Sequence, residues 1–132
     1  MRSHLENDAL KTASAVTSGP WENVAYLARS LSDARVRKLQ VFICGNGGSA
    51  ANTIHLANDF LYGVANGSHT ELRVEALSAN QSALTCLAND IDYAQIFSYQ
   101  LKSKGEAGDL LLALSGRENC QTSFKHQRLE IN

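Results

Sequence analysis

The sequence predicts an α/β protein built on a parallel sheet with helices on both faces. Three observations lead there. Short apolar runs at residues 39–44, 72–77 and 110–114 alternate with segments of helical periodicity. The first run ends in a glycine turn, Gly45-Asn46-Gly47-Gly48-Ser49, that feeds straight into a helix. The third run follows two short helices and a turn at Gly105 and Gly108, and strands separated by helices in this way argue for a parallel sheet.

Each element has a local reason. Leu5, Ala9, Leu10, Ala13 and Val16 recur at helical spacing over residues 5–17. Ser18-Gly19-Pro20 breaks that helix, and Pro20 suits the start of the next. Val24, Leu27, Ala28, Leu31 and Ala34 then share one face of a helix over residues 21–36. The β-branched and apolar run at 39–44 reads as a buried strand. Ala50, Ala51, Ile54, Ala57, Phe60, Leu61 and Val64 repeat as a helix that ends near residues 63–67. Residues 72–77 alternate as a second strand. Residues 81–88 and 93–102 form short helices interrupted by a loop at Asn89-Asp90. A turn at Gly105 and Gly108 precedes the third strand, 110–114.

Composition excludes several classes. The 132 residues are 44% hydrophobic and 19% charged, too apolar for a disordered chain. Twelve basic residues against 13 acidic ones give a net charge of −1, so no general basic field draws nucleic acid. No apolar run has the length of a membrane span, and the polar N-terminus is unlike a signal peptide. Cys44, Cys86 and Cys120 form neither a metal pattern nor a disulfide framework, which suits a reducing cytoplasm.

The glycine turn carries the strongest chemical signal. Glycines allow close backbone approach, Ser49 suits the N-cap, and the first amides of the helix make an anion site fit for phosphate. The pattern is neither a P-loop nor a dinucleotide fingerprint, and it also fits an ordinary tight strand-to-helix turn. His55 and Asp59 lie four residues apart, on one helix face about two turns beyond the loop. Such a pair binds a divalent metal, moves a proton, or simply decorates a solvated face. Asp90 accepts from sugar hydroxyls or caps the next helix. Ser115-Gly116 sits at the C-terminal end of a strand, where open α/β sheets bind ligands. His4, His69 and His126 lie in polar contexts and are expected at the surface.

In order, Cys44 through Ala51, His55 through Phe60, Ser82-Ala83-Leu84-Thr85, Leu87-Ala88-Asn89-Asp90, Ile96-Phe97-Ser98 and Gly108-Asp109-Leu110-Leu111 resemble the sugar isomerase (SIS) domain family, in its phosphoheptose isomerase branch. The likeness runs over residues 5–116. It implies a three-layer, flavodoxin-like sandwich with a parallel sheet, preceded by N-terminal helices and incomplete at its C-terminal end. It implies that Asn46, Gly47, Gly48 and Ser49 line a sugar-phosphate site. It implies that His55 is a zinc ligand, and that Asp59 is both zinc ligand and catalytic acid/base. Asp59 stands where the family has glutamate, one methylene shorter. By the same likeness Asn89 and Asp90 hold sugar hydroxyls and Ser115 opens the phosphate loop. The implied reaction is aldose–ketose isomerisation of D-sedoheptulose 7-phosphate by proton transfer beside a carbonyl. A cytoplasmic homo-oligomer, a tetramer in the family, is implied too, with a phosphorylated sugar as its partner and no nucleic acid or membrane. A second reading is a non-catalytic SIS module that binds a sugar phosphate or a protein partner, of the replication-initiator-associating type. A third is a truncated remnant with little activity, because the likeness implies that a glutamine and a histidine from the family's C-terminal half complete the zinc site and the acid/base pair, and this sequence lacks them.

From Arg117 the resemblance gives way. Only four of the last sixteen residues are hydrophobic, and Arg117-Glu118-Asn119-Cys120 replaces the family's serine-rich loop. The codons for residues 121–126, shifted by one base, admit Pro-Asn-Ile-Val-Gln-Ala, a family-like run. Residues 1–116 therefore read as the N-terminal part of a SIS domain and 117–132 as a tail, the product of a frameshift. Three parallel strands alone expose apolar edge and face, so poor solubility or capture by a partner chain is expected.

Overall fold

The computed structural model describes residues 1–63 and 71–116, and the tail at 117–132 lies outside them. The chain divides into two compact units, Met1–Ser32 and the part from Asp33 onward. Helix α1 is Arg2–Thr17 and α2 is Trp21–Arg37, with Pro20 just before the latter, as its fixed φ predicts. Within the first unit α1 buries none of its residues.

The second unit opens as α2 ends. Lys38 takes a positive φ of 57°, and the Leu39 amide donates to the Ala34 carbonyl at 2.9 Å, a left-handed helix stop. That turn delivers the chain to β1, Val41–Gly45. Then come α3, Gly48–Asn58, a π-helical turn at Asp59–Gly63, β2, Val74–Ala76, and α4, Gln81–Leu87. A second π-helical turn, Ala88–Asp92, a 3₁₀ turn, Tyr93–Gln95, α5, Ser98–Lys104, and β3, Leu110–Leu114, follow.

The sheet is parallel, in the order β2-β1-β3. Val41 pairs with Val74 on one side and with Leu110 on the other. All five residues of β1 are buried, so both of its faces are covered, which is why this strand is apolar without alternation. Phe42 and Cys44 point into one cluster with Leu77, Ile96, Phe97 and Leu101, against which Leu84, Leu87, Ala88 and Leu111 pack. Val41 and Ile43 point to the opposite face and are fully buried as well.

The expected second strand is shorter than residues 72–77. Its flanks still join β1: the Val41 amide donates to Arg73 O at 2.8 Å and the Leu77 amide to Ile43 O at 2.9 Å. At the N-terminal ends of the strands Asp109 acts as a clasp. Its carboxylate accepts from the Gln40 amide at 2.9 Å and from the Glu106 amide at 2.8 Å, fixing the entry to β3.

Candidate functional site

β1 runs into its glycine turn at the C-terminal edge of the sheet, where α/β folds bind ligands. Gly45 is required there by space. A Cβ on it would meet Ser49 Cβ at 2.8 Å and Leu114 O at 2.9 Å, so α3 and β3 approach β1 only because this residue has no side chain. Gly47 takes φ 54° and ψ −124°, a conformation that side-chain-bearing residues avoid. It reverses the chain so that α3 begins at once.

Two details differ from the sequence expectation. Gly47, and not Ser49, occupies the N-cap, and Ser49 lies in the first turn of α3. The positive φ of Gly47 starts the helix earlier than a serine cap would. The Ser49 amide donates to Asn46 O at 3.0 Å and the Ala50 amide to Gly47 O at 3.0 Å, a tightened first turn. The outward donors at this helix end are therefore the amides of Gly47 and Gly48. Both residues are exposed, and nothing stands within 4 Å of a Cβ built on either. That open, positively polarised helix end suits an oxyanion.

A residue the sequence reading missed holds the turn in place. Ser78, buried just beyond β2, donates its hydroxyl to Gly45 O at 2.8 Å and accepts from the Gly45 amide at 3.3 Å. It continues the β1–β2 ladder by side chain where the backbones part. A single serine has no periodic signature, so no sequence pattern could have shown it. Ser115 follows β3, whose last residue, Leu114, is in register with Gly45, so Ser115 lies on the same sheet edge as Asn46.

His55 and Asp59 meet as their spacing predicts, with Nε2 and Oδ2 3.5 Å apart. The imidazole is largely exposed and the carboxylate about half so. Asp59 ends α3, and its amide donates to His55 O and Leu56 O as the helix widens into the π-turn. Two ligands of a tetrahedral zinc, each about 2.1 Å from the metal, lie roughly 3.4 Å apart, so the pair fits as half of such a site. Among the described residues no group of three His, Cys, Asp or Glu forms a complete one.

Asn89 and Asp90 lie on the π-helical turn after α4, not in an open loop. Asn89 Nδ2 donates to Asp90 Oδ1 at 2.7 Å, and the Cys86 thiol donates to Asp90 Oδ2 at 3.2 Å. The Asn89 amide first, and the thiol second, hold the Asp90 carboxyl below its ordinary pKa. The carboxylate in turn pushes the Cys86 thiol up, through the hydrogen bond and its charge. The helix cap expected of Asp90 belongs to Asp92, whose Oδ1 accepts from the Ala94 amide at 3.0 Å. His4 is exposed as expected, and His69 and His126 lie outside the described residues. No described helix is long and apolar enough to cross a membrane.

Known proteins resemble this chain in sequence and fold. The phosphoheptose isomerase of Alteromonas mediterranea is 34% identical over 112 residues, covering 85% of this chain and 56% of that protein. That of Mycobacterium bovis is 45% identical over 86 residues, covering 65% of this chain and 43% of its own length. The solved structure of phosphoheptose isomerase from Neisseria gonorrhoeae superposes with a TM-score of 0.78 at 29% identity, over 92% of this chain and 61% of that one. The chain thus spans about half the length of the curated relatives it matches. The SIS domain profile matches residues 5–121, and this chain belongs to the SIS domain family.

Proposed function

We propose that this chain carries the sugar-phosphate half of an aldose–ketose isomerase site that acts on D-sedoheptulose 7-phosphate. The observation that supports it most is the open turn at Asn46, Gly47, Gly48 and Ser49. It ends a buried parallel strand, presents helix-end amides, and has a histidine–carboxylate pair two turns further along the same helix. The amides of Gly47 and Gly48 bind phosphate oxygens, with the hydroxyls of Ser49 and Ser115 as further donors from the same sheet edge. Asn89 and Asp90 bind sugar hydroxyls. Each oxygen of Asp90 accepts one internal hydrogen bond and keeps lone-pair capacity for a ligand.

Isomerisation needs a proton taken from the carbon beside the carbonyl and returned to its neighbour. Asp59 is the acid/base in this reading. His55 and Asp59 would hold a zinc ion, which when bound polarises the substrate's carbonyl oxygen. The remaining zinc ligands and the second acid/base group come from outside the described residues. The functional assembly is a cytoplasmic homo-oligomer, a tetramer by family likeness.

The test is turnover of sedoheptulose 7-phosphate by the full chain with added zinc. Where the full chain turns the sugar over, activity that falls at least a hundredfold in His55→Ala is expected. Equal activity in that variant would remove the pair from the mechanism. Phosphosugar binding without turnover would favour the non-catalytic SIS module instead.

A further inference from the structure

Helix α5 buries Gln100 and Leu101. Leu101 joins the apolar cluster, as a buried helix position should. Gln100 is a polar residue at the same depth, 5% exposed. Its Nε2 donates twice, to Ile96 O at 2.8 Å and to Leu77 O at 3.2 Å. Its Oε1 is buried and accepts no hydrogen bond among the described residues. A buried unpaired acceptor costs free energy that an apolar side chain of the same length would not. What Gln100 offers against that cost is its donor to Leu77.

Leu77 lies where the β2 side of the sheet changes from backbone to side-chain pairing. The β1–β2 register ends at Ile43 and Ala76. Leu77 still reaches β1 through its amide, which donates to Ile43 O at 2.9 Å, while its carbonyl accepts from Gln100. The next residue, Ser78, is buried, and its hydroxyl bonds both the amide and the carbonyl of Gly45. On its other side Gly45 is in register with Leu114 of β3. Gly45 is thus held from both flanks, and the flank facing β2 rests on one hydroxyl. Leu77 is fastened to β1 by its N–H and to α5 by its C=O, so the placement of that hydroxyl depends on Gln100. Asn46 follows Gly45 directly, and the outward amides of Gly47 and Gly48 come next. The peptide units between them are planar and stiff, so a shift of Gly45 carries those amides with it. Donors serve an oxyanion best when they are fixed in advance.

We propose that Gln100 is a positioning residue for the oxyanion site at the glycine turn, holding Leu77, and through it Ser78, where the Ser78 hydroxyl fixes Gly45. It touches no ligand and acts through those two residues alone. The proposal rests on the phosphate reading of the turn at residues 46–49.

The test uses the full chain and two variants, each checked for folding by circular dichroism without denaturant. Binding of sedoheptulose 7-phosphate is read by calorimetry and by the Gly47 and Gly48 amide signals. Gln100→Met keeps the length of the side chain and removes both donors. It should weaken binding by about tenfold, the worth of one misplaced hydrogen bond to a charged group. Leu101→Val trims the neighbouring core position and leaves the donors of Gln100 in place. It should lower the urea midpoint and leave the affinity unchanged. In the unmodified chain the Gln100 side-chain amide protons should exchange slowly, a reading independent of how either variant folds. Equal affinity in Gln100→Met and the parent overturns the proposal and leaves the phosphate reading standing. So does an equal loss in Leu101→Val, which would make the effect one of stability, and so does free exchange of the Gln100 side-chain amide. A parent chain that does not bind the phosphorylated sugar overturns the phosphate reading itself, and the proposal with it.

Discussion

Replacing Gly45 with alanine tests the packing that shapes the glycine turn. The new Cβ would stand 2.8 Å from Ser49 Cβ, 2.9 Å from Leu114 O and 3.0 Å from the Ser49 carbonyl carbon. Two of these three are backbone atoms of different elements, so no side-chain rotation relieves them. Either β3 slides along β1 or α3 lifts off the sheet. Overpacking of this kind costs about 1–3 kcal/mol, and backbone contacts put Gly45→Ala at the upper end. For a domain of this size that lowers the melting temperature by roughly 10 °C. Gly48→Ala is the matched control, because nothing lies within 4 Å of its Cβ and it is already helical. Alanine there should leave the melting temperature unchanged or raise it slightly. Thermal and urea unfolding followed by circular dichroism would measure both. A Gly45→Ala chain melting within about 2 °C of the parent would refute the close approach of β1, β3 and α3.

Three other outcomes follow from the same geometry. Ser78→Ala strips the Gly45 amide and carbonyl of a buried partner and should cost about 1–3 kcal/mol, read by urea unfolding. Asp90 should titrate below the ordinary carboxylate range by carbon NMR. Its midpoint should rise more in Asn89→Ala than in Cys86→Ala, following the order of the two causes. Because the folded value is the lower one, this group's small contribution to stability is present above about pH 3.9 and is lost as pH falls through the folded value. Asp59→Glu gives the carboxylate the length that the SIS resemblance implies for the proposed zinc site. It should tighten zinc binding severalfold by calorimetry, and unchanged affinity would separate Asp59 from the metal.

Much of the fold was legible because parallel strands are apolar on both faces. Leu110–Leu114 was readable to the residue, and β1 was displaced only at its ends. The His55–Asp59 contact was legible because helical spacing alone brings the two side chains together. β2 was overestimated because Leu72 and Leu77, both buried, carry the alternation past the ladder itself. Asn89-Asp90 reads as a loop because Asn-Asp signals a break, whereas the π-turn at Ala88–Asp92 absorbs the extra residue without one. The start of α3 was misplaced because serine is the usual cap, and a glycine at positive φ overrides that preference. Ser78 left no trace, since its role depends on Gly45, 33 positions away in sequence.

The central claim is that the turn at residues 46–49 is the phosphate end of a sugar-phosphate site. Amide NMR of the full chain, titrated with sedoheptulose 7-phosphate and with unphosphorylated sedoheptulose, tests it most directly. The account predicts that the phosphorylated sugar shifts the Gly47, Gly48 and Ser49 amides most strongly, and that the free sugar leaves them in place. Shifts centred elsewhere, or equal shifts from both sugars, would contradict it.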